Sequence, residues 1–190
     1  MQQPGGELHV LEAARDLARR VRASGFPHPV TASHCVSLSM QSESDQQRIA
    51  EAVAEAGVSI VALPQTNLFL QGRDHQQAMP RGLTAVRALS RAGVNVCAGA
   101  DNLQDPFNPI GRGDPLETAG LMIAVGHLLP DEAWSAVTSA ARLALLGQRA
   151  SIAPGQPADL IALPVATVRE AIAFTPGQRI VFRNGHRLSP

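Results

Sequence analysis

The chain has 190 residues, 16 basic and 16 acidic side chains and no formal net charge, enough for one hydrophobic core. Apolar residues make up 45% of it, which fits a folded globular protein rather than a disordered one; the neutral charge, the 3% aromatic content and the lack of Tyr argue against a basic or base-stacking nucleic-acid surface. Cys35 and Cys97 are too few for a disulfide scaffold, lack Cys-x-x-Cys spacing and lie in apolar, strand-like surroundings, so they read as buried thiols. The start, Met1 to Gly6, has no basic segment followed by an apolar one, and no apolar run reaches the ~18 residues of a membrane span. The expectation is a soluble cytoplasmic protein with no membrane or nucleic-acid partner.

In chain order, Leu8, Leu11, Ala14, Leu17, Ala18 and Val21 recur at helical spacing, so a helix is predicted from Leu8 to Arg22, stopped by Gly25 and Pro27. Val30 to Ser33 reads as a short buried strand ending at His34. A helix over about Asp45 to Ala56 and a strand over Val58 to Leu63 follow, then a long loop from Gln65 to about Met79. The next helix runs from Pro80 to Ala92, and a third strand, Val94 to Ala98, ends at Gly99-Ala100-Asp101. Two further helices are predicted over Leu116 to Gly126 and Pro130 to Leu146. After Gly155, Ala158 to Leu163 and Arg179 to Arg183 read as strands, the second closed by the hairpin signal Asn184-Gly185.

Apolar strands alternating with helices indicate parallel βα units. Polar residues gather after each strand's C-terminal end: His34, then Gln65 and Asn67, then Asp101 and Asn102. A barrel builds its active site at that face, which favours a barrel over an open sheet. His34 can ligate a metal or orient a water, or sit hydrogen-bonded in the core. Asp101, beside the small Gly99 and Ala100, can bind a metal and move a proton, or cap a helix or turn. Gln65, Asn67 and Gln71 offer amides to the edge of a heterocycle, or are loop chemistry. Phe107, in the stiff Asp105-Pro106-Phe107-Asn108-Pro109, either walls a flat substrate or packs into the core.

Val30-Thr31-Ala32-Ser33-His34, Leu70-Gln71-Gly72-Arg73, Gly99-Ala100-Asp101 and Asp105-Pro106-Phe107, in that order and spacing, resemble the cytosine deaminase branch of the amidohydrolase superfamily. The resemblance runs from about Leu8 to the C-terminus. It implies the C-terminal part of a (β/α)8 barrel over residues 1–150, with the three strands as barrel strands six to eight. Residues 151–190 would then contribute a β element to a small β-sandwich. It further implies that Asp101 binds a catalytic divalent metal, zinc or iron, and relays a proton. His34 would contact the metal-bound water or the substrate, and Asn102, Phe107 and Gln71 would face the substrate.

Two departures bear on function. Cytosine deaminases carry Asp where Asn102 stands and Trp where Phe107 stands, and an amide offers a donor as well as acceptors. A related amino- or amide-bearing heterocycle therefore fits as well as cytosine. The family's His-x-His motif is absent from the chain, no His-x-x-Glu-type motif follows any of its strands, and a (β/α)8 barrel takes about 250 residues. Asp101 alone falls short of the three protein ligands of a catalytic zinc. The expectation is a piece of a deaminase, inactive and poor at holding metal by itself and completed by a missing N-terminal half. The alternative is an inactive half-barrel serving assembly, as a homo-oligomer or with another subunit.

Overall fold

The computed structural model describes residues 6–188; residues 1–5 and 189–190, and the side chains of residues 6–12, Leu8 and Leu11 of the predicted helix among them, lie outside the described part. The first half alternates as expected: α1 (Gly6–Ser24), β1 (Thr31–Ser33), α2 (Glu43–Glu55), β2 (Ser59–Ala62), α3 (Pro64–Leu70), α4 (Val86–Arg91) and β3 (Val96–Ala98). The three strands form one parallel sheet in the order β1-β2-β3, with Ala32 beside Ile60 and Ile60 beside Val96. The α2 helix starts where the Ser42 hydroxyl accepts the Asp45 N–H, and Gly57, at φ 65°, turns the chain back into β2.

Side-chain direction alternates along a strand, so the packing partners reveal which face is covered. Ala32, Ile60, Ala62, Val96 and Ala98 share one face, and all of them pack into the helix-lined core. One part of that core holds Ala18, Ile49, Val53 and Leu89; the other holds Leu116, Ala119, Met122 and Ala133. The opposite face carries Thr31, Ser33, Ser59, Val61 and Cys97, none of which joins either core cluster, and Thr31 and Ser33 are exposed. Helices on a single face of a parallel sheet are a barrel's arrangement; a doubly wound sheet is covered on both.

The chain then runs through α5 (Pro115–Ala124), α6 (Pro130–Val137) and α7 (Ser139–Leu146). The α7 helix crosses beneath the strands' N-terminal ends. Its Ala140 carbonyl accepts from Asn95 Nδ2 at 3.0 Å, and its Ala144 carbonyl accepts from the Thr31 hydroxyl at 3.4 Å. The strands' C-terminal ends stay open on the other side. A second sheet is antiparallel: β4 (Leu160–Ala162), β5 (Ile180–Arg183) and β6 (His186–Arg187), in that order, with α8 (Val168–Phe174) between its first two strands. Asn184, at φ 48°, and Gly185, at φ 79°, make the expected hairpin turn.

Four expectations need correction. The segment predicted as a loop from Gln65 begins as α3, because Pro64 opens a helix as well as ending a strand. Its buried face is Gln65, Thr66 and Asn67, so no apolar periodicity announces it. The predicted Pro80–Ala92 helix shrinks to α4, because Gly82 takes φ 64° against the Asn67 carbonyl and delays the helix. The predicted Pro130–Leu146 helix breaks at Thr138, whose hydroxyl donates back to the Trp134 carbonyl at 2.7 Å while its backbone leaves helical geometry. The α8 helix, capped by the Thr167 hydroxyl on the Glu170 N–H, was not predicted.

Candidate active site

His34 and Asp101 come from opposite strands of the parallel sheet and meet at its open end. The His34 N–H continues the ladder onto the Val61 carbonyl at 3.1 Å, and the Gly99 N–H does the same onto Ala62 at 3.0 Å. Each strand then ends by a reversal: His34 and Cys35 adopt φ 64° and 48°, and Asp101 adopts φ 67°. Non-glycine residues in this region cost of order 1–3 kcal/mol each, and such residues cluster at functional sites. The result sets His34 Nε2 3.7 Å from Asp101 Oδ2, with both side chains partly open to solvent. That gap is too long for a direct hydrogen bond and short enough for a bridging group.

The other ring nitrogen is anchored from below. His34 Nδ1 lies 2.9 Å from Oδ1 of Asn67, which is 2% exposed on α3. Gln71, one turn further on, lines a cavity of about 530 Å³ together with His34, Cys35, Leu38 and Met40. Asp101, Asn102 and Phe107 are not part of that lining. Gln65 faces away from the site and donates to the Thr118 hydroxyl at 2.7 Å in the core.

Asn102 has both ends of its amide engaged. Its oxygen accepts from the Thr66 hydroxyl at 3.0 Å, and its nitrogen donates to Asp105 Oδ2 at 2.6 Å. This pair of partners explains an amide at the position: a carboxylate would satisfy Thr66 and repel Asp105. Burial pushes the Asp105 carboxyl up, but hydrogen bonds from Asn102 and from the Phe107 and Asn108 N–H groups outweigh it and hold it below its ordinary value. Asn108 is buried and ties the loop to the Asn102 carbonyl at 2.7 Å; a Cβ on Gly111 would collide with both groups. Phe107 is 52% exposed, so it is not packed in the core.

Both cysteines are free. Burial pushes the Cys97 thiol up to about 11 and raises Cys35 as well, so both stay protonated at neutral pH and are poor nucleophiles or metal ligands. Among the described residues no three His, Cys, Asp or Glu side chains come together in a way that could hold a metal ion. His34 and Asp101 are two donors where a catalytic zinc typically uses three from protein. His28, His75, His127 and His186 are all exposed. No described helix is long and apolar enough to cross a membrane. Thr66, Asn67 and Asn108 carry more of the site's geometry than their sequence context signalled; polar residues just past a strand's C-terminal end were the only cue.

A parallel sheet with helices on one face, and a His–Asp pair at its C-terminal edge, is an α/β arrangement of the kind barrel proteins build. The chain belongs to the amidohydrolase family, whose model matches residues 6–185. It is 36% identical over 191 aligned residues to a pterin deaminase of Rhizobium rhizogenes, covering 94% of this chain and 44% of that protein. Its fold matches the crystal structure of 5-methylcytosine deaminase from Klebsiella pneumoniae liganded with 5-fluorocytosine, with a TM-score of 0.83 and 29% identity over 91% of this chain and 43% of that one. It also matches N-isopropylammelide isopropylaminohydrolase from Burkholderia multivorans, with a TM-score of 0.75 and 26% identity, covering 93% and 43%. The chain therefore spans less than half the length of these relatives.

Proposed function

We propose that this chain supplies barrel strands six to eight, and part of the catalytic centre, of a metal-dependent deaminase acting on an amino-bearing nitrogen heterocycle. The observation that carries the reading is the 3.7 Å approach of His34 Nε2 to Asp101 Oδ2 at the strands' open end. In this role Asp101 takes the proton of the attacking water on a carboxylate oxygen, and His34 holds the water or the tetrahedral centre through Nε2. Gln71 presents its amide to the heterocycle from the cavity beside His34. The named activities of the relatives, on pterin and on 5-methylcytosine, support a heterocyclic substrate that need not be cytosine.

Among the described residues His34 and Asp101 gain no third metal ligand, so in this reading the remaining ligands, and the acid that protonates the ring, come from the rest of the complete enzyme. A second reading is favoured by the exposed apolar side chains of the antiparallel sheet, Ile161 and Ile180 among them: the chain acts through assembly with another subunit or a second copy.

A chimera tests the first reading. This chain replaces the matching segment of the Rhizobium rhizogenes pterin deaminase, and ammonia release is measured on pterin, 5-methylcytosine and aminotriazines. The expected result is metal-dependent turnover that Asp101→Asn lowers by about 10²–10⁴-fold. A folded, metal-loaded chimera that releases no ammonia from any of these, or an Asp101→Asn form with full activity, would sink the reading.

A further inference from the structure

We infer that Asn67 is a positioning residue that keeps His34 in the Nδ1–H form, so that the lone pair of Nε2 faces Asp101. The inference rests on the proposed role of His34 at the reacting centre and adds a residue that does not touch the substrate.

The anchor is rigid. The Asn67 N–H donates to the Leu63 carbonyl at 3.1 Å, and its own carbonyl accepts from the Gln71 N–H at 2.9 Å. A Cβ on Gly82 would lie 2.9 Å from that carbonyl oxygen, so the chain passes tightly over the residue. At 2% exposure the side chain has no water to compete for its oxygen. Among the described residues its buried amide nitrogen finds no hydrogen-bond partner. An orphaned donor of this kind costs about 1–3 kcal/mol, a cost that this orientation of the amide carries.

An amide oxygen only accepts, so the ring nitrogen 2.9 Å away must carry the hydrogen. A neutral imidazole has one N–H, which leaves Nε2 as an acceptor. Nε2 then faces a carboxylate oxygen across 3.7 Å, two acceptors that call for a donor or a cation between them. The reversed amide would donate to Nδ1, move the hydrogen to Nε2 and turn that nitrogen into a donor. The two orientations therefore predict opposite tautomers.

The test is long-range ¹H–¹⁵N NMR of the imidazoles in the 190-residue chain, recorded at alkaline pH, with the His34 signals assigned by their loss in His34→Gln. Expected for the unaltered chain are a protonated, pyrrole-like Nδ1 and a pyridine-like Nε2. Asn67→Leu should reverse this pattern, and Asn67→Asp, which keeps an acceptor, should restore it; amide spectra check that each variant is folded. An Nε2–H form in the unaltered chain, or a pattern that a folded Asn67→Leu leaves in place, would overturn the inference. No substrate is present, so this result is separate from the outcome of the deamination assay.

Discussion

The parallel sheet and the antiparallel sheet are built from similar apolar runs and end in opposite environments. In the first, Ile60 is 1% exposed and Ala62 is 0%. In the second, Ile161 is 44% exposed and Ile180 is 39%. The difference lies in what the chain provides to cover each. Helices α1, α2, α4, α5 and α6 bury one face of the parallel sheet, with alanines at Ala50, Ala119 and Ala133 that let them approach closely. The antiparallel sheet packs few buried side chains of its own. It is fastened instead by polar contacts: Arg179 to both oxygens of Asp114 at 3.0 and 2.6 Å, and Arg142 to Asp159 at 3.1 Å. One sheet is held by packing, the other by tethers.

Removing a packed side chain should have the largest effect. Leu89 is fully buried where α4 meets α2 and the parallel sheet, so Leu89→Ala should lower the unfolding free energy by about 2–5 kcal/mol in urea titration. A loss below about 1 kcal/mol would mean that the parallel sheet is not a cooperative core.

Cutting a tether should cost less and act locally. Arg179→Ala removes two charge-assisted bonds from Asp114, which also caps α5 through the Leu116 N–H, and about 1–3 kcal/mol is expected. Hydrogen exchange should quicken in β4 and β5 and stay slow in β2. Uniform loss of protection would show that the two sheets unfold as one unit. Acid should mimic the change. The Arg179 guanidinium, aided by the Leu116 N–H, holds the Asp114 carboxyl below the ordinary carboxylate value against the opposing effect of burial. A folded value below the unfolded one means that this stabilisation is complete above about pH 3.9, the unfolded aspartate value, and fades as pH falls through the folded value. The Asp159 carboxyl, lowered by the Asn184 N–H and by Arg142, shifts in the same direction. Loosening of the antiparallel sheet ahead of the parallel one is therefore expected below about pH 4.

The smallest effect is expected on the uncovered sheet itself. Ile161→Ser, at a position that is 44% exposed, should change monomer stability by less than about 0.5 kcal/mol. Light scattering should show less self-association if this surface pairs with another chain. A large loss of stability in dilute monomer would mean that the side chain is covered after all.

Much of the fold was legible in the sequence because it was written in local terms. Apolar periodicity marked α1, which Gly25 and Pro27 were expected to stop, short apolar runs marked the parallel strands, and Asn184-Gly185 marked the hairpin. The family motifs drew attention to His34 and Asp101, which the fold brings together from 67 positions apart in the chain. What stayed hidden was polar or depended on contact. Helix α3 buries Gln65, Thr66 and Asn67, which periodicity cannot see, and the break at Thr138 depends on a hydroxyl turning back to the Trp134 carbonyl. The partners of Asn67 and Asn102 were likewise fixed only by packing. An amide can donate or accept, and only the neighbours that the tertiary structure supplies decide which. By itself the sequence determined the alternation of the parallel strands with helices and singled out His34 and Asp101 at the strand ends. Tertiary structure decided which sheet is covered, and which nitrogen of His34 faces Asp101, because burial and hydrogen-bond direction are properties of neighbours brought together by folding.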